Sequence, residues 1–76
     1  MRIDDTRPIW IQLADSFRAR ITDGTWRPGQ KIPSVRDLAI EAGTNPNTVQ
    51  RALAALDDEG LTVSKRTAGR FVATDD

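Results

Sequence analysis

Pro46 restricts the fold of this 76-residue chain more than any other residue. It lies in the stretch GTNPNTVQRAL, residues 43–53, with helical apolar spacing on both sides. A proline inside a helix breaks it, but at the first helical position it costs nothing, because the N–H there has no helical partner. Asn45 is a favourable N-cap just before it, and Gly43 suits the end of a preceding helix. The stretch therefore predicts two helices joined by a three-residue corner, GTN.

Apolar spacing predicts three helices, at about residues 9–23, 35–42 and 46–59. Ser34 is a suitable N-cap for the second helix, with Asp37 in the capping-box position. Each helix has one apolar face, which we expect to form the core. These faces comprise Trp10, Leu13, Ala14, Phe17 and Ile21 in the first helix, Val35, Leu38 and Ala39 in the second, and Val49, Ala52, Leu53 and Leu56 in the third.

Two short β segments follow the third helix. LTVS and RFVA flank KRTAG, a loop of five residues containing glycine, which predicts a hairpin over about residues 61–73. Alternation is clear in the first arm, with Leu61 and Val63, and less so in the second, where Phe71 and Val72 are adjacent. Residues 31–32, after a Pro-Gly turn, predict a further short strand.

The order helix, short strand, helix, helix, hairpin predicts one domain over residues 1–76. Its fold class is α+β, mainly α-helical, and its architecture is a winged helix-turn-helix with the hairpin as the wing. The chain is small enough that one compact core is the most it can bury.

Composition makes an enzyme the weakest of the functional hypotheses. The chain has no Cys and no His, so it lacks a thiol nucleophile, the commonest general base and the commonest metal ligand. No glycine-rich phosphate loop is present, and we expect no cofactor and no metal site. No apolar run approaches the roughly 20 residues of a membrane span. The first residues, MRIDDTRP, are too polar for a signal peptide, so a cytoplasmic location is expected.

The charges are unevenly distributed although the net charge is zero. Residues 44–56 contain one Arg and no acid, and residues 60–74 contain three cations and no acid. Between them lie Asp57, Asp58 and Glu59. Because a phosphate backbone responds to a local basic stripe, the neutral sum is weak evidence against nucleic-acid binding. The acidic run is tolerable in a DNA-binding protein if this end of the third helix points away from DNA.

The polar stretch TNPNT has two interpretations. Helix capping alone explains Asn45 and Pro46. It does not explain why polar residues continue for another turn without an acid, since Asp and Glu are favoured at a helix N-terminus. A phosphate expected at that end accounts for their absence. Asn47, Gln50 and Arg51 are then candidates for base contacts, because amides pair with adenine and guanidinium groups with guanine in the major groove.

The remaining candidates are basic and aromatic residues. Lys65, Arg66 and Arg70 of the hairpin would be an ordinary solvated tip if the hairpin stood alone. Beside a helix-turn-helix they can reach the sugar-phosphate backbone or the minor groove.

Trp10 lies on the apolar face of the first helix and Trp26 precedes a turn, so we expect both in the core rather than as base-stacking platforms.

The stretch KIPSVRDLAIEAGTNPNTVQRALAALDDEGL resembles the DNA-binding domain of GntR-family bacterial transcription factors. With RPIWIQLADSFRARI before it and GRFVA after it, the resemblance covers nearly the whole chain. NPNTVQRA is most similar to the YtrA-type branch. The combination of P-G-x-x-[IL]-P-S-x-R-x-L-A, N-P-N-T-V and E-G-L at these spacings is highly specific, although no single motif would be.

The resemblance implies a dimeric repressor that binds a near-palindromic operator in double-stranded DNA. It places Arg36 on DNA from the start of the second helix and Ser34 against phosphate. Some relatives have Arg at the position of Pro46, so no base contact is transferred there. The DNA-binding residues that it implies, with those argued from chemistry, are Ser34, Arg36, Asn45, Asn47, Thr48, Gln50, Arg51, Lys65, Arg66, Thr67 and Arg70.

The family appends a C-terminal region that dimerises and senses a small-molecule effector, and this chain stops at ATDD, just after the wing. Effector binding and much of the dimer interface are therefore expected outside these residues.

A winged helix used for protein interaction is the alternative function, and exposed apolar residues on the third helix would favour it. Fusion to an aminotransferase-like partner, as in the MocR branch, would leave the role of these residues unchanged.

Overall fold

The computed structural model describes residues 6–74 and consists of three helices followed by a two-stranded hairpin. The helices are α1 (Ile9–Thr22), α2 (Val35–Ala42) and α3 (Pro46–Asp58), and the strands are β1 (Thr62–Lys65) and β2 (Gly69–Val72). This confirms the mainly helical α+β class and the winged helix-turn-helix. The predictions about residues 1–5 and the last two residues lie outside the described part.

Local capping chemistry fixes the corner between α2 and α3. The Ser34 hydroxyl accepts a hydrogen bond from the Asp37 N–H at 3.1 Å, and α2 ends at Gly43 in a left-handed conformation, φ 69°. A side chain there would be strained, so glycine suits this reversal. The Asn45 carboxamide oxygen then accepts from the Thr48 N–H at 3.0 Å, and Pro46 occupies the first turn of α3. Two residues, Thr44 and Asn45, thus separate Gly43 from a new helix.

The core lies between the three helices and is closed by the base of the hairpin. Leu13 and Phe17 of α1 pack with Leu53 and Leu56 of α3, all at most 2% exposed. Trp26 is 4% exposed, with its ring centroid 5.5 Å from that of Phe17, which confirms its predicted place in the core. The other buried apolar residues are Ala14, Ile32, Leu38, Ala39, Val49, Ala52 and Val72.

Trp10 departs from its predicted position. It is only half-buried and lies outside the cluster of buried core residues. Helical spacing places it near the apolar face, but it belongs to the first turn of α1, which extends past the core towards the start of α3. Its ring contacts Arg51, with the guanidinium carbon 4.5 Å from the ring centroid.

The loop of the hairpin is shorter than predicted, and β1 faces the core through Thr62. Strands β1 and β2 pair antiparallel from Thr62↔Val72 to Lys65↔Gly69, leaving a loop of residues 66–68. Thr62 is buried at 2% exposure, whereas Val63 is 43% exposed, so β1 turns its polar residue Thr62, and not Val63, towards the core. Both faces of the hairpin carry apolar side chains. Val72, the partner of Thr62, packs in the core, so the face that carries these two residues is turned inward.

A short third segment, residues 31–32, joins the hairpin, as the sequence predicted. Lys31 forms a bridge with Phe71, and the Ile32 N–H donates to the Arg70 carbonyl at 2.9 Å. The chain before α2 is therefore tied to the wing and brings the N-terminus of α2 beside it. Across residues 6–74, no helix has the length and apolar character needed to cross a membrane.

Candidate nucleic-acid interface

The outward side of α3 carries polar side chains over its first two turns. Val49 and Ala52 are fully buried on the inner side of this helix. Asn47, Gln50 and Arg51 are exposed on the other side. None of the exposed large hydrophobic residues among residues 6–74 belongs to α3; they are Ile9, Ile40 and Val63. This helix therefore presents hydrogen-bonding groups and a cation, and no apolar patch, to an approaching partner.

Capping accounts for part of the polar stretch. The Asn45 side chain accepts from both the N–H of Thr48, at 3.0 Å, and its hydroxyl, at 3.3 Å. Asn45 and Thr48 therefore have structural roles that need no ligand. Asn47 and Gln50 have no side-chain hydrogen bond within residues 6–74, so their amide groups can pair with a ligand.

A groove lies between the start of α2, the middle of α3 and the tip of the hairpin. We call it the wing groove; it is open, has a volume of about 530 Å³, and is lined by residues 31–35, Gln50, Leu53 and residues 64–70. It brings together six of the sequence-predicted site residues: Ser34, Gln50, Lys65, Arg66, Thr67 and Arg70.

A second, shallower groove lies on the other flank of α3. We call it the Trp10 groove; it has a volume of about 330 Å³ and is lined by Ile9, Trp10, Asn45, Asn47, Thr48 and Arg51. Four predicted site residues meet here, namely Asn45, Asn47, Thr48 and Arg51. Within the described part of the chain, no acidic residue lines either groove.

Arg36 is the predicted site residue that lines neither groove. It is exposed in the first turn of α2, next to the Ser34–Asp37 cap. The Ser34 hydroxyl uses a lone pair in this cap and keeps its proton, so it can still donate to a phosphate oxygen. Arg36 and Ser34 therefore lie at one helix N-terminus, where an anion is favoured.

The basic residues divide into those that form salt bridges with carboxylates and those that do not. Away from the grooves, Arg18 bridges Asp15 and Glu59, at 2.8 and 2.5 Å, and Arg20 pairs with Glu41. Side-chain hydrogen bonds from arginines lower the pKa of two carboxyl groups. The pKa of Asp15 is lowered first by Arg7 and then by Arg18, and the pKa of Glu59 is lowered by Arg18. By contrast, four candidate cations have no salt bridge within residues 6–74: Arg36, Arg51, Lys65 and Arg66.

Arg70 differs from the other predicted contacts of the wing. Its guanidinium donates to Asp57 from Nε at 3.2 Å and from Nη2 at 3.0 Å, and its side chain is only 14% exposed. Strand alternation causes this, because Arg70 shares the inward face of β2 with Val72. Its predicted contact with DNA therefore competes with an internal ion pair, and the structure gives it a clear role in holding the wing.

Two of the three acidic residues at the C-terminal end of α3, Asp57 and Glu59, are engaged inside the protein. Asp57 also accepts hydrogen bonds from the hydroxyls of Thr62 and Ser64, and Glu59 is held by Arg18 of α1. The C-terminal end of α3, where these carboxylates lie, is opposite the polar N-terminal end. Their charges are thus largely cancelled by arginines and do not border the two grooves.

Among the groove-lining residues that sequence reasoning did not predict, Lys31 carries a charge and Trp10 carries an aromatic ring. Lys31 lines the wing groove, and its side chain passes close to Gly69. A Cβ at position 69 would lie only 2.9 Å from the Lys31 Cε, so the glycine leaves room for this side chain. The predicted short strand at residues 31–32 was the available indication, since it ties Lys31 to the wing. Trp10 lines the other groove through its contact with Arg51, which joins positions 41 residues apart and leaves no pattern in the sequence.

Comparison with known regulators shows which protein family this chain belongs to. The family model described as "Bacterial regulatory proteins, gntR family" matches residues 11–72. The repressor YtrA of Bacillus subtilis is 36% identical over 66 residues, which cover 87% of this chain and 51% of that protein. The HTH-type transcriptional regulator YhcF of the same organism is 36% identical over 72 residues, covering 95% of this chain and 60% of that protein. The chain thus spans about half to three-fifths of these two relatives.

Solved structures agree with the family model. A GntR-family transcriptional regulator from Listeria monocytogenes superposes with a TM-score of 0.91 at 36% identity, covering 96% of this chain and 64% of that one. The DNA-binding domain of AraR, in complex with its operator ORR3, superposes with a TM-score of 0.85 at 29% identity, covering 96% and 88%. These proteins are regulators, not enzymes. The chain belongs to the gntR family of bacterial regulatory proteins and forms that family's winged helix-turn-helix DNA-binding domain.

Proposed function

We propose that this domain binds double-stranded DNA sequence-specifically, as part of a bacterial transcriptional repressor acting on a near-palindromic operator. One observation carries the proposal: the outward side of α3 is polar and is flanked by two grooves without acidic lining. In this arrangement α3 enters the major groove, and Asn47, Gln50 and Arg51 contact base edges. The operator complex of AraR supports this docking by analogy.

Phosphate contacts come from the two sides of α3 in this proposal. Ser34 and Arg36 approach one stretch of backbone with the N-terminus of α2. Lys65, Arg66 and Thr67 at the wing tip approach another across the wing groove. Asn45 and Thr48 begin α3 next to the backbone, and Arg70 acts chiefly by holding the wing on Asp57.

We assign the remaining properties to the whole regulator rather than to this domain. A homodimer would place two copies of α3 about 34–36 Å apart, as adjacent major grooves require. Response to a small-molecule effector is likewise proposed for the whole protein. The proposal places that protein in the cytoplasm, where its DNA target is found.

Selection from a random duplex library at two salt concentrations tests this function. Enrichment of a defined half-site, or of two inverted half-sites at fixed spacing, is the expected result. Binding without an enriched sequence would contradict base recognition and leave only backbone binding. Failure to bind at low salt would instead favour the protein-interaction function.

Substituting Arg66 by Ala is expected to weaken binding to all sequences alike. Removal of one phosphate contact should reduce the slope of log K against log salt by about 0.9 and leave base preference unchanged. Titrations of the selected site and of a scrambled duplex over a salt series measure both quantities. Arg27→Ala is the matched control, because Arg27 is another exposed cation that lines neither groove. A changed base preference in Arg66→Ala would contradict the assigned role.

Substituting Asn47 by Ala should relax specificity at one position of the half-site. The loss of a bidentate base contact is expected to cost about 1–3 kcal/mol against the preferred base pair, measured on duplexes changed at each position in turn. The protein's stability should change by less than about 0.5 kcal/mol, since Asn47 is exposed. Asn45→Ala is the matched comparison: it removes the cap of α3 and should cost about 0.5–2 kcal/mol of folding stability. Equal loss on every duplex would contradict a base contact by Asn47.

A further inference from the structure

The contact between Trp10 and Arg51 joins the first turn of α1 to the outward side of α3. The Arg51 guanidinium carbon lies 4.5 Å from the centroid of the Trp10 ring, within the range of a cation–π contact. Trp10 is half-buried and outside the buried core, and Arg51 is exposed. The position of the indole ring is thus not explained by core packing alone.

The way Arg51 is held differs from the way other arginines of the protein are held. Arg20 also lies near aromatic rings, those of Phe17 and Trp26, but its N–H groups are engaged by Glu41. Arg18 and Arg70 are likewise held by carboxylates. Arg51 has no salt bridge within residues 6–74 and is held by the ring instead.

A ring and a carboxylate have different consequences for a guanidinium. A carboxylate uses the in-plane N–H groups and cancels the charge. An aromatic face contacts the flat side of the group, so the in-plane donors and the charge stay available to another partner. The ring also restricts the rotation of a long side chain, which reduces the ordering needed on binding.

The surroundings of the contact agree with this role. Trp10 and Arg51 line the same groove as Asn47 and Thr48, and no acidic residue lines it within the described part of the chain. Arg51 lies one turn after Asn47, so both side chains border one stretch of the outward face of α3. The held guanidinium is therefore beside the residues that the proposed function assigns to base contacts.

We propose that Trp10 is a positioning residue for DNA recognition: it holds the Arg51 guanidinium ready for a base edge without engaging its donors. This inference rests on the proposed sequence-specific binding by α3. Trp10 itself need not contact DNA. Loss of the ring should cost about 3- to 10-fold in affinity, the ordering of one long side chain, and only where Arg51 makes its contact.

Affinity measurements on the half-site selected by the wild-type domain test the inference. The proteins are the wild type, Trp10→Leu, Trp10→Phe, Arg51→Ala and the double variant Trp10→Leu/Arg51→Ala. Each is titrated with the selected duplex and with duplexes changed at the base pair where Arg51→Ala relaxes discrimination. We expect Trp10→Leu to lose discrimination at that same base pair and to have little further effect in the Arg51→Ala background. Trp10→Phe keeps an aromatic face and should retain most of the discrimination.

The possible outcomes separate this inference from the function on which it rests. Equal weakening on all duplexes by Trp10→Leu would reduce Trp10 to a structural residue and overturn the inference alone. Tighter binding by Trp10→Leu would also overturn it, because the ring would then withhold Arg51 from DNA. A wild-type domain without any sequence preference would overturn the proposed function and the inference together.

A second measurement needs no substitution at Trp10 and so does not depend on how that variant folds. In proton NMR of the wild-type domain, the indole ring current should move the Arg51 side-chain resonances upfield of those of Arg66. The displacement should persist when the selected half-site is bound. Arg51 resonances at the position of a free arginine, with or without DNA, would overturn the inference.

Discussion

Replacing Trp26 by Ala is expected to lower the free energy of unfolding by about 3–5 kcal/mol, the usual cost of removing a large buried aromatic side chain. Trp26 is 4% exposed and packs its ring on Phe17, with centroids 5.5 Å apart. It also ties the turn after α1 to the core. A domain of this size has a total stability of only about 4–11 kcal/mol, so much of it would be lost.

Thermal and urea unfolding, followed by circular dichroism, measure this effect. The melting temperature should fall by at least about 12 °C. Trp10→Ala is the matched control, because it removes the same side chain from a half-buried position and should cost clearly less. Equal losses for the two tryptophans would contradict their different placement.

Replacing Asp57 by Ala is expected to cost about 2–4 kcal/mol, since it leaves Arg70 without its partner in a largely buried position. The Arg70 side chain is 14% exposed, and Asp57 also accepts hydrogen bonds from Thr62 and Ser64. The same substitution removes the link between the C-terminal end of α3 and both strands of the wing. We therefore expect weaker DNA binding even at temperatures where the variant is fully folded.

Unfolding and DNA titration together test the role of Asp57. Asp58→Ala is the matched control, because Asp58 is the exposed next residue without a salt bridge in the described part, and its removal should change stability by less than about 0.5 kcal/mol. The double variant Asp57→Ala/Arg70→Ala should lose less than the sum of the single variants. Additive losses, or an equal loss in Asp58→Ala, would show that the pair does not hold the wing.

Features set by neighbouring residues were predictable from the sequence. The caps at Ser34 and Asn45, the start of α3 at Pro46 and the apolar spacing of its inner side all depend on contacts within one helical turn. The polar outward side of α3 follows from the same spacing. Together with the hairpin pattern of residues 61–73, these features were sufficient to predict the winged helix-turn-helix and to place the proposed base contacts on the outward side of α3.

Features set by distant residues were not predictable. Arg70 was predicted at a free wing tip, but its partner Asp57 lies 13 positions earlier and only the register of the hairpin brings them together. The alternation in β1 did not indicate its inward face for a related reason, since the packing of Val72 selects between two partly apolar faces. Arg51 was predicted as a candidate contact, but nothing in its neighbourhood indicated the ring of Trp10.

The ion pairs on the far side of the domain also affect how it approaches its target. Arg18 and Arg20 are matched by carboxylates there, whereas Lys65 and Arg66 border the wing groove without such partners. Because the chain has no net charge, the positive excess at the two grooves is balanced by an acidic excess elsewhere in the chain. Within about 8 Å at physiological salt, a polyanion is therefore attracted to the grooves and is not attracted to the remaining surface. Encounters in the wrong orientation gain little energy and separate quickly. The uneven charge distribution of an overall neutral chain is thus expected to orient the domain towards DNA during their encounter.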